Sequence, residues 1–132
     1  MKIIQTKKIE FHSDCRGWSI KPISDERIRN ENITNLHIVS IKPNAIRGNH
    51  YHLHMTEQLL VIGGICKITV QDRKTNQKEE VIIENNAEML LIFPPLLTHT
   101  IENIGSEMAY LFCYSNIDDD LQKRGTVKDN II

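Results

Sequence analysis

Short runs of alternating apolar and polar residues recur along most of the chain. Leu36–Lys42, for example, places His37, Val39 and Ile41 on one side of a strand and the intervening residues on the other. This alternation is typical of β-strands. The predicted strands are Lys2–Lys8, Trp18–Ile23, Leu36–Lys42, Glu57–Ile62, Cys66–Asp72, Glu80–Glu84, Glu88–Phe93, Thr98–Asn103 and Glu107–Ser115.

Turn-forming residues separate these strands. They are Gly63-Gly64, Lys74-Thr-Asn-Gln77, Asn85-Asn86 and Asn103-Ile-Gly105. About eight to ten short strands at this spacing indicate a closed or double-sheet all-β fold, and we predict a jelly roll. No amphipathic helical period is visible before residue 116. We expect residues 1–115 to form the jelly-roll domain and the polar residues 116–132 to form a C-terminal arm or a short helix.

Length and charge narrow the class of protein. The chain has 132 residues, close to the commonest domain size, so one hydrophobic core is expected. A formal net charge of −1 gives no broad positive surface for nucleic acid or an anionic membrane. No apolar run approaches the roughly 18 residues that span a bilayer, and Met1-Lys-Ile-Ile-Gln5 lacks the apolar core of a signal peptide. We therefore expect a cytoplasmic protein.

The three cysteines do not indicate a disulfide framework. Cys15, Cys66 and Cys113 are odd in number, widely spaced and outside any Cys-x-x-Cys motif. We expect reduced thiols that pack as small hydrophobic side chains.

Histidine is scarce, yet three of the six histidines fall within five residues. In the segment Ile46-Arg-Gly-Asn-His-Tyr-His-Leu-His-Met-Thr-Glu57, a strand would point His50 and His52 to one face. Four residues separate His52 from Glu57, enough for a tight turn that returns the glutamate beside them. His99, at the entry to another apolar strand, can complete the group. Three imidazoles and one carboxylate suit a divalent transition metal such as Zn, Fe, Mn or Ni, with a position left for a substrate.

The same residues resemble the first sequence motif of the cupin superfamily, Gly-x5-His-x-His-x3–4-Glu-x6-Gly. His50, His52 and Glu57 match it, whereas Asn44 stands in place of the leading glycine. The pair His52-x-His54 leaves only two residues before Glu57, too few for the motif. We therefore expect His54 to lie at the rim of the site.

The second cupin motif, Gly-x5-Pro-x-Gly-x2-His-x3-Asn, is also matched in part. Pro94, His99 and Asn103 agree with it, and Glu88 and Leu96 replace its two glycines. The missing glycines concern turn geometry and leave the candidate ligands intact. The resemblance implies a cupin jelly-roll barrel with one metal held by the three histidines and the glutamate.

A narrower resemblance is to cupins that act on sugar nucleotides. Arg47-Gly-Asn-His-Tyr-His52, with Asp14-Cys-Arg-Gly17 upstream, is similar to segments of dTDP-4-keto-6-deoxyhexose epimerases, 3,4-ketoisomerases and the cupin domains of capsule-synthesis enzymes. The first two groups generally work without a metal, and the ketoisomerases tend to carry Gln where this chain has Glu57. The resemblance therefore favours the metal-competent version found in the capsule enzymes.

Further candidates follow from the chemistry of such enzymes. Moving a proton alpha to a ketone needs a base of near-neutral pKa, for which we predict His50, and an acid across the sugar ring. Related epimerases place that acid on a late strand, where this chain has Tyr110. Arg47 and Arg16 are candidates for binding an anionic substrate group, because guanidinium pairs bidentately with phosphate. The other candidate substrate-binding residues are His37 and Tyr114.

Each assignment has a structural alternative. For Arg47 it is an ion pair that anchors its loop, and for Arg16 it is a salt bridge with Asp14 that stabilises a turn. For Tyr110 and Tyr114 it is packing in the hydrophobic core. For the candidate ligands it is a metal-free pocket that uses the same side chains for hydrogen bonding or proton transfer.

Three functions are compatible with these residues, since a jelly roll hosts many activities. We predict a metal-binding sugar-nucleotide epimerase or isomerase that acts on a nucleotide-linked keto-sugar in surface-polysaccharide biosynthesis. The alternatives are a metal-dependent oxygenase or lyase of a small carbonyl compound, and a non-catalytic cupin that binds a sugar or metabolite. Cupins of this kind are commonly dimers, and we expect a homodimer with the strand Lys2–Lys8 in its interface.

Overall fold

The computed structural model describes residues 3–84, 89–117 and 119–132, and strands predominate in these ranges. Neither helix there is long and apolar enough to cross a membrane. The elements are β1 Gln5–Lys8, β2 Glu10–Asp14, β3 Gly17–Lys21, α1 Asp25–Asn30, β4 Thr34–Ile41, β5 Ile46–His52, β6 Glu57–Ile62, β7 Cys66–Asp72, β8 Lys78–Ile83, β9 Met89–Phe93, β10 Leu97–Asn103, β11 Ala109–Ser115, α2 Asp119–Arg124 and β12 Thr126–Lys128. The predicted turn Asn85-Asn86 and the predicted strand start at Glu88 lie outside the described residues.

Ten strands form two five-stranded antiparallel sheets. Their orders are β1-β9-β6-β11-β4 in the first sheet and β12-β5-β10-β7-β8 in the second. The core lies between the sheets, where Leu59 and Leu111 of the first sheet share one cluster with Ile68 and Ile101 of the second. Each of these side chains is at most 3% exposed, as the inward positions of a period-two pattern require. The predicted all-β class is confirmed.

A hairpin and a short helix near the N-terminus lie outside the two main sheets. β2 and β3 form a separate hairpin, and α1 follows it. α1 has only six residues, too few for a repeating helical period to be visible in the sequence. Its start is nevertheless marked by Ser24, whose hydroxyl accepts a hydrogen bond from the Arg27 backbone N–H at 3.3 Å.

A buried arginine attaches α1 to the outer face of the first sheet. Arg27 is 6% exposed, and its guanidinium donates to Glu31 at 2.6 and 3.0 Å. It also donates to the Tyr114 hydroxyl at 2.9 Å and to Gln58 Oε1 at 2.8 Å. A buried charge is tolerated when it is paired and hydrogen-bonded in this way. The network closes α1 over β6 and β11, on the side away from the barrel interior.

The C-terminal segment contains a strand in addition to the short helix. β12 pairs with β5, and its three residues lie opposite the stretch from His52 to His50. Further on, Asp129 Oδ2 accepts a hydrogen bond from Thr98 Oγ1 of β10 at 2.6 Å. The second sheet therefore continues past residue 115, where the sequence analysis placed the end of the jelly-roll domain.

Candidate metal-binding and active site

Three histidines from adjacent strands of the second sheet meet inside the barrel. His50 and His52 lie on β5, and His99 lies on β10 as the register partner of His50. The three ring centroids are 4.7, 4.9 and 5.4 Å apart. One nitrogen from each ring lies within 4.8 Å of the other two. The strand spacing of the His-x-His pair thus brings both rings to His99, as predicted.

Glu57 reaches these histidines from the facing sheet. It is the first residue of β6, and its Oε1 and Oε2 lie 3.4 Å from His99 Nε2 and 4.0 Å from His52 Nε2. Burial alone would raise the pKa of Glu57, but contact with His99 and the nearby imidazoles gives a net lowering. The side chain is therefore a carboxylate at neutral pH, and all four predicted ligands share one site.

Two buried nitrogens at the centre of the site have no hydrogen-bond partner among the described residues. They are Nε2 of His52 and Nε2 of His99, whose residues are 2% and 1% exposed. The opposite ring nitrogens are bonded, His99 Nδ1 to the Leu97 carbonyl at 3.2 Å and His52 Nδ1 to Thr126 Oγ1 at 2.9 Å. With its proton on Nδ1, His99 donates to this carbonyl and presents a lone pair from Nε2. Converging buried lone pairs beside a carboxylate fit a divalent transition metal.

Burial keeps two of the imidazoles neutral. It lowers the pKa of His50 to about 4, assisted by His99 and opposed by Glu57. It likewise lowers the pKa of His52 to about 4, with Glu57 opposing and the other histidines assisting. Neutral imidazole is the form that ligates metals. His50 is thus unprotonated at neutral pH, although its pKa lies below the near-neutral value expected for a general base.

A cavity of about 160 Å³ leads from the histidines to the surface. His37 and Arg47 are exposed residues of its lining. Their role in substrate binding stays a prediction. Arg47 donates from Nε to the Ser40 carbonyl at 2.9 Å. That bond holds the side chain at the mouth and does not engage the terminal amino groups of the guanidinium. The remaining wall is largely apolar and consists of Val39, Gly48, Leu59, Ile101, Leu111 and Cys113, beside His50, Glu57 and His99.

The two tyrosines proposed for the site do not line this cavity. Alternate residues of β11 face opposite sides of the sheet, and Leu111 and Cys113 take the inward positions. Tyr110 is 44% exposed on the outer face, and Tyr114 is buried beneath α1 with its hydroxyl bonded to Arg27. The predicted roles of Tyr110 as the acid and Tyr114 as a substrate contact are therefore corrected by the parity of the strand. For Tyr114 the packing alternative applies.

Arg16 is likewise not brought to the cavity. It lies in the turn of the β2–β3 hairpin, and its Nη2 and Nε donate to the Asp14 carboxylate at 2.6 and 3.2 Å. This is the turn-stabilising salt bridge given above as its alternative. His54 is exposed just beyond the end of β5, consistent with the expected position outside the ligand set.

Cys113, predicted only as a small packed side chain, forms part of the cavity wall. Burial raises the pKa of its thiol to about 12, with nearby Glu57 acting in the same direction. The side chain is therefore a neutral wall residue rather than a thiolate ligand. Cys66 is buried as expected, whereas Cys15 is exposed in the hairpin.

Gly48 allows β5 to approach β10 closely beside a candidate ligand. The ladder between the strands shifts register between His99 and Thr100, and Gly48 has φ +99°. A Cβ atom at this position would lie 2.5 Å from the His99 carbonyl oxygen. A larger residue would therefore displace the strand that carries His99. This is the physical reason for a glycine directly before the Asn-His-Tyr-His segment.

Two positions where the cupin motifs have glycine keep a left-handed backbone in this chain. Asn44 has φ 68° and Leu96 has φ 67°. The backbone of Leu96 bonds on both sides, donating to the His52 carbonyl and accepting from Arg73 N, each at 2.9 Å. The turn geometry is thus retained without glycine, at some conformational cost for Leu96. The third replaced glycine, Glu88, lies outside the described residues.

Solved structures with this architecture identify the fold as the predicted cupin jelly roll. A dTDP sugar isomerase from Desulfovibrio desulfuricans gives a TM-score of 0.84 at 12% identity, covering 98% of this chain and 85% of that one. The 3,4-ketoisomerase QdtA from Thermoanaerobacterium thermosaccharolyticum, in complex with TDP-4-keto-6-deoxyglucose, gives 0.77 at 14% identity, covering 98% and 89%. CapF gives 0.68 at 20% identity, covering 93% of this chain and 34% of CapF.

Sequence comparison then gives the family. Residues 12–126 match the polysaccharide biosynthesis C-terminal domain, and the chain belongs to this family. A curated relative is the UDP-2-acetamido-2,6-beta-L-arabino-hexul-4-ose reductase of Pseudomonas aeruginosa, which is 25% identical over 108 residues. The match covers 82% of this chain but only 28% of the reductase.

In the metal-free protein, we expect the free energy of unfolding to fall as the pH drops from about 6.5 to about 4. Histidine in the unfolded chain takes up a proton near pH 6.5, whereas His50 and His52 in the folded protein stay neutral down to pH about 4. Acid therefore favours the unfolded state, by at most about 1.4 kcal/mol per histidine for each pH unit. Above this window the stabilisation is fully present.

Urea denaturation of metal-stripped protein at about pH 7, about 5.5 and about 4.5 measures this dependence. His52→Gln should flatten it, whereas His12→Gln, a change at an exposed residue, should not. A parent protein with constant stability across the window would contradict the expected burial of neutral histidines.

Proposed function

We propose that this chain is a metal-dependent sugar-nucleotide isomerase or epimerase that acts on a nucleotide-linked keto-sugar in surface-polysaccharide biosynthesis. The main observation in support is that His50, His52, Glu57 and His99 converge at the base of a cavity whose mouth holds Arg47. Two buried nitrogens of this group lack a hydrogen-bond partner among the residues that the structure describes. The family supports the link to polysaccharide biosynthesis. The sugar isomerases that share the fold support the substrate class. We also propose a cytoplasmic location.

The four ligand side chains would hold one divalent transition metal. Such an ion polarises a ketone and stabilises an enediolate when it is bound. Glu57 and the neutral imidazoles supply its donors, and the Nδ1 bonds of His52 and His99 keep those two rings oriented. The apolar wall limits the access of water to the reacting carbon atoms.

His50 is the candidate base. Its ring borders the cavity and is less buried than those of His52 and His99, so it is the histidine that a substrate can best approach. Without a proton at neutral pH, it can accept one from a carbon alpha to the ketone. In this role its lone pair would not be shared with a metal, which His52, Glu57 and His99 would then hold.

The position of the tyrosines bears on the type of reaction. An epimerase needs an acid across the sugar ring from the base. Among the described cavity residues, no tyrosine provides one, because Tyr110 and Tyr114 face the other side of β11. A single base can remove a proton and return it on the same face. The site of one chain thus favours an isomerase over an epimerase.

Replacing Glu57 with Gln should lower the affinity for Zn²⁺ at least ~10-fold, because an anionic ligand is lost from a buried site. The fold should be retained, since the change is nearly isosteric. Metal content after dialysis against a chelator and far-ultraviolet circular dichroism measure the two properties. Glu107→Gln changes an exposed carboxylate and is the control. Full stoichiometric metal in a His52→Ala, His99→Ala double variant would overturn the ligand assignment.

Arg47→Ala should raise the dissociation constant for a nucleotide-linked 4-keto-sugar about tenfold or more, since a charge-assisted hydrogen bond contributes about 1.5–3 kcal/mol. Metal content should not change, because Arg47 lies at the mouth and not among the ligands. Calorimetric titration of the parent and of Arg47→Ala measures the effect. Arg29→Ala, a change at an exposed arginine, is the matched control.

If Arg47→Ala binds as well as the parent, or if neither binds, the sugar-nucleotide proposal fails. A metal cupin with another substrate then remains. Oxygen uptake with a small carbonyl compound would identify an oxygenase, and tight binding without turnover would identify a non-catalytic binding protein.

We also propose a homodimer. β1 is the edge strand of the first sheet and pairs with β9 on one side only, so its other edge is open to a second copy. Light scattering should give about twice the chain mass of 15.3 kDa. Deletion of residues 1–9 should give a monomer or an aggregate. A monomeric mass for the full chain would refute the proposal.

A further inference from the structure

The C-terminal strand contacts the candidate metal site directly. Thr126 is the first residue of β12 and the register partner of His52 in β5. Its Oγ1 lies 2.9 Å from His52 Nδ1. His52 is only 2% exposed, so bulk water has little access to take the place of this hydroxyl. A side chain from the end of the chain therefore provides the outer hydrogen bond of a candidate metal ligand.

The two most buried ligands are oriented by different kinds of group. His99 bonds through Nδ1 to the carbonyl of Leu97, two residues away in the same strand. His52 bonds to a side chain 74 positions away in the sequence. The His99 partner is main chain and persists in any variant that keeps β10. The His52 partner depends on one residue and on the placement of β12.

The surroundings of His52 decide which ring nitrogen carries the proton. A hydroxyl can accept or donate, so Thr126 by itself permits both tautomers. Nε2, however, is buried without a hydrogen-bond partner among the described residues and is 4.0 Å from Glu57 Oε2. Thr126 Oγ1 lies at hydrogen-bond distance from Nδ1, whereas the Glu57 oxygen lies beyond that distance from Nε2. We therefore expect the proton on Nδ1, where it is donated to Thr126, and the Nε2 lone pair facing the other ligands.

β12 is held on both sides of Thr126. Before it, the Gly125 carbonyl accepts from Leu53 N at 2.8 Å. After it, Asp129 N donates to the Asn49 carbonyl at 2.7 Å, and the Asp129 carboxylate accepts from Thr98 Oγ1 at 2.6 Å. These contacts fix the segment to β5 and β10, the two strands that carry the histidines.

We propose that Thr126 is a positioning residue for His52 and that β12 completes the metal site from the C-terminal end of the chain. The expected effect of Thr126 on metal affinity rests on the function proposed above. The contact between Thr126 and His52 is itself independent of the metal, so it can be tested without one. Residues 126–128 are then part of the site rather than a dispensable tail.

Thr126→Val removes the hydroxyl and keeps a β-branched side chain suited to a strand. It should weaken Zn²⁺ binding about 10- to 100-fold, the usual effect of losing a hydrogen bond behind a ligand. Thr126→Ser keeps a hydroxyl and should restore the affinity to near the parent value. Competition with a chromophoric chelator measures all three proteins. Thr75→Val, at an exposed threonine in the turn between β7 and β8, is the matched control.

A second measurement separates this inference from the proposed metal function. Nitrogen-15 spectra of the metal-free protein report the tautomer of the His52 ring. The parent should show the proton on Nδ1, and Thr126→Val should shift the ring toward a mixture of tautomers, with Thr126→Ser resembling the parent. If the parent binds no Zn²⁺ but the spectra behave in this way, the metal proposal fails and the positioning role stands.

An unchanged His52 signal in Thr126→Val overturns the inference, whether or not the affinity for Zn²⁺ falls. A loss of affinity with an unchanged ring would mean that the substitution acts through the strand as a whole. Thermal unfolding checks that each variant is folded. Should Thr126→Val fail to fold, Thr126→Ala replaces it in both measurements under the same criteria.

Discussion

The close approach of β5 to β10 is the contact on which the rest of the site depends. Gly48, with φ +99°, lets the backbones come so near that a Cβ atom would lie 2.5 Å from the His99 carbonyl oxygen. The register shift after His99 sets His50 directly opposite it and leaves His52 one pleat further along the same face. Three rings from two strands therefore share one small volume, and the short turn after β5 needs only to bring Glu57 back to them.

This geometry has an electrostatic consequence. Imidazoles and a carboxylate are enclosed by two apolar sheets, where unpaired polar groups are costly. Burial lowers the pKa of His50 and His52 to about 4, and the surrounding histidines help to keep Glu57 ionised. The outer nitrogens of His52 and His99 are hydrogen-bonded, whereas their inner nitrogens have no hydrogen-bond partner in the described part of the chain. A cation at the centre would satisfy the buried lone pairs and balance the carboxylate.

The two faces of the first sheet have different roles. Its inner face supplies Glu57 and much of the cavity wall. Its outer face is covered in part by α1, where Arg27 bonds Tyr114 and Gln58. Under the proposed function, this division places the base His50 on one side of the cavity. Proton transfer would then take place on a single face of the substrate.

The all-β class and the candidate ligands could be predicted from the sequence alone, because both depend on local geometry. Strand parity aligns His50 with His52, and a four-residue turn limits where Glu57 can lie. The inward face of β11 could not be predicted, because the strand carries apolar or aromatic residues at successive positions from Ala109 to Tyr114 and shows no alternation. α1 was too short to show a helical period. The hydrogen bond between Thr126 and His52 could not be predicted from the sequence. A contact between residues 74 positions apart depends on how the whole chain packs.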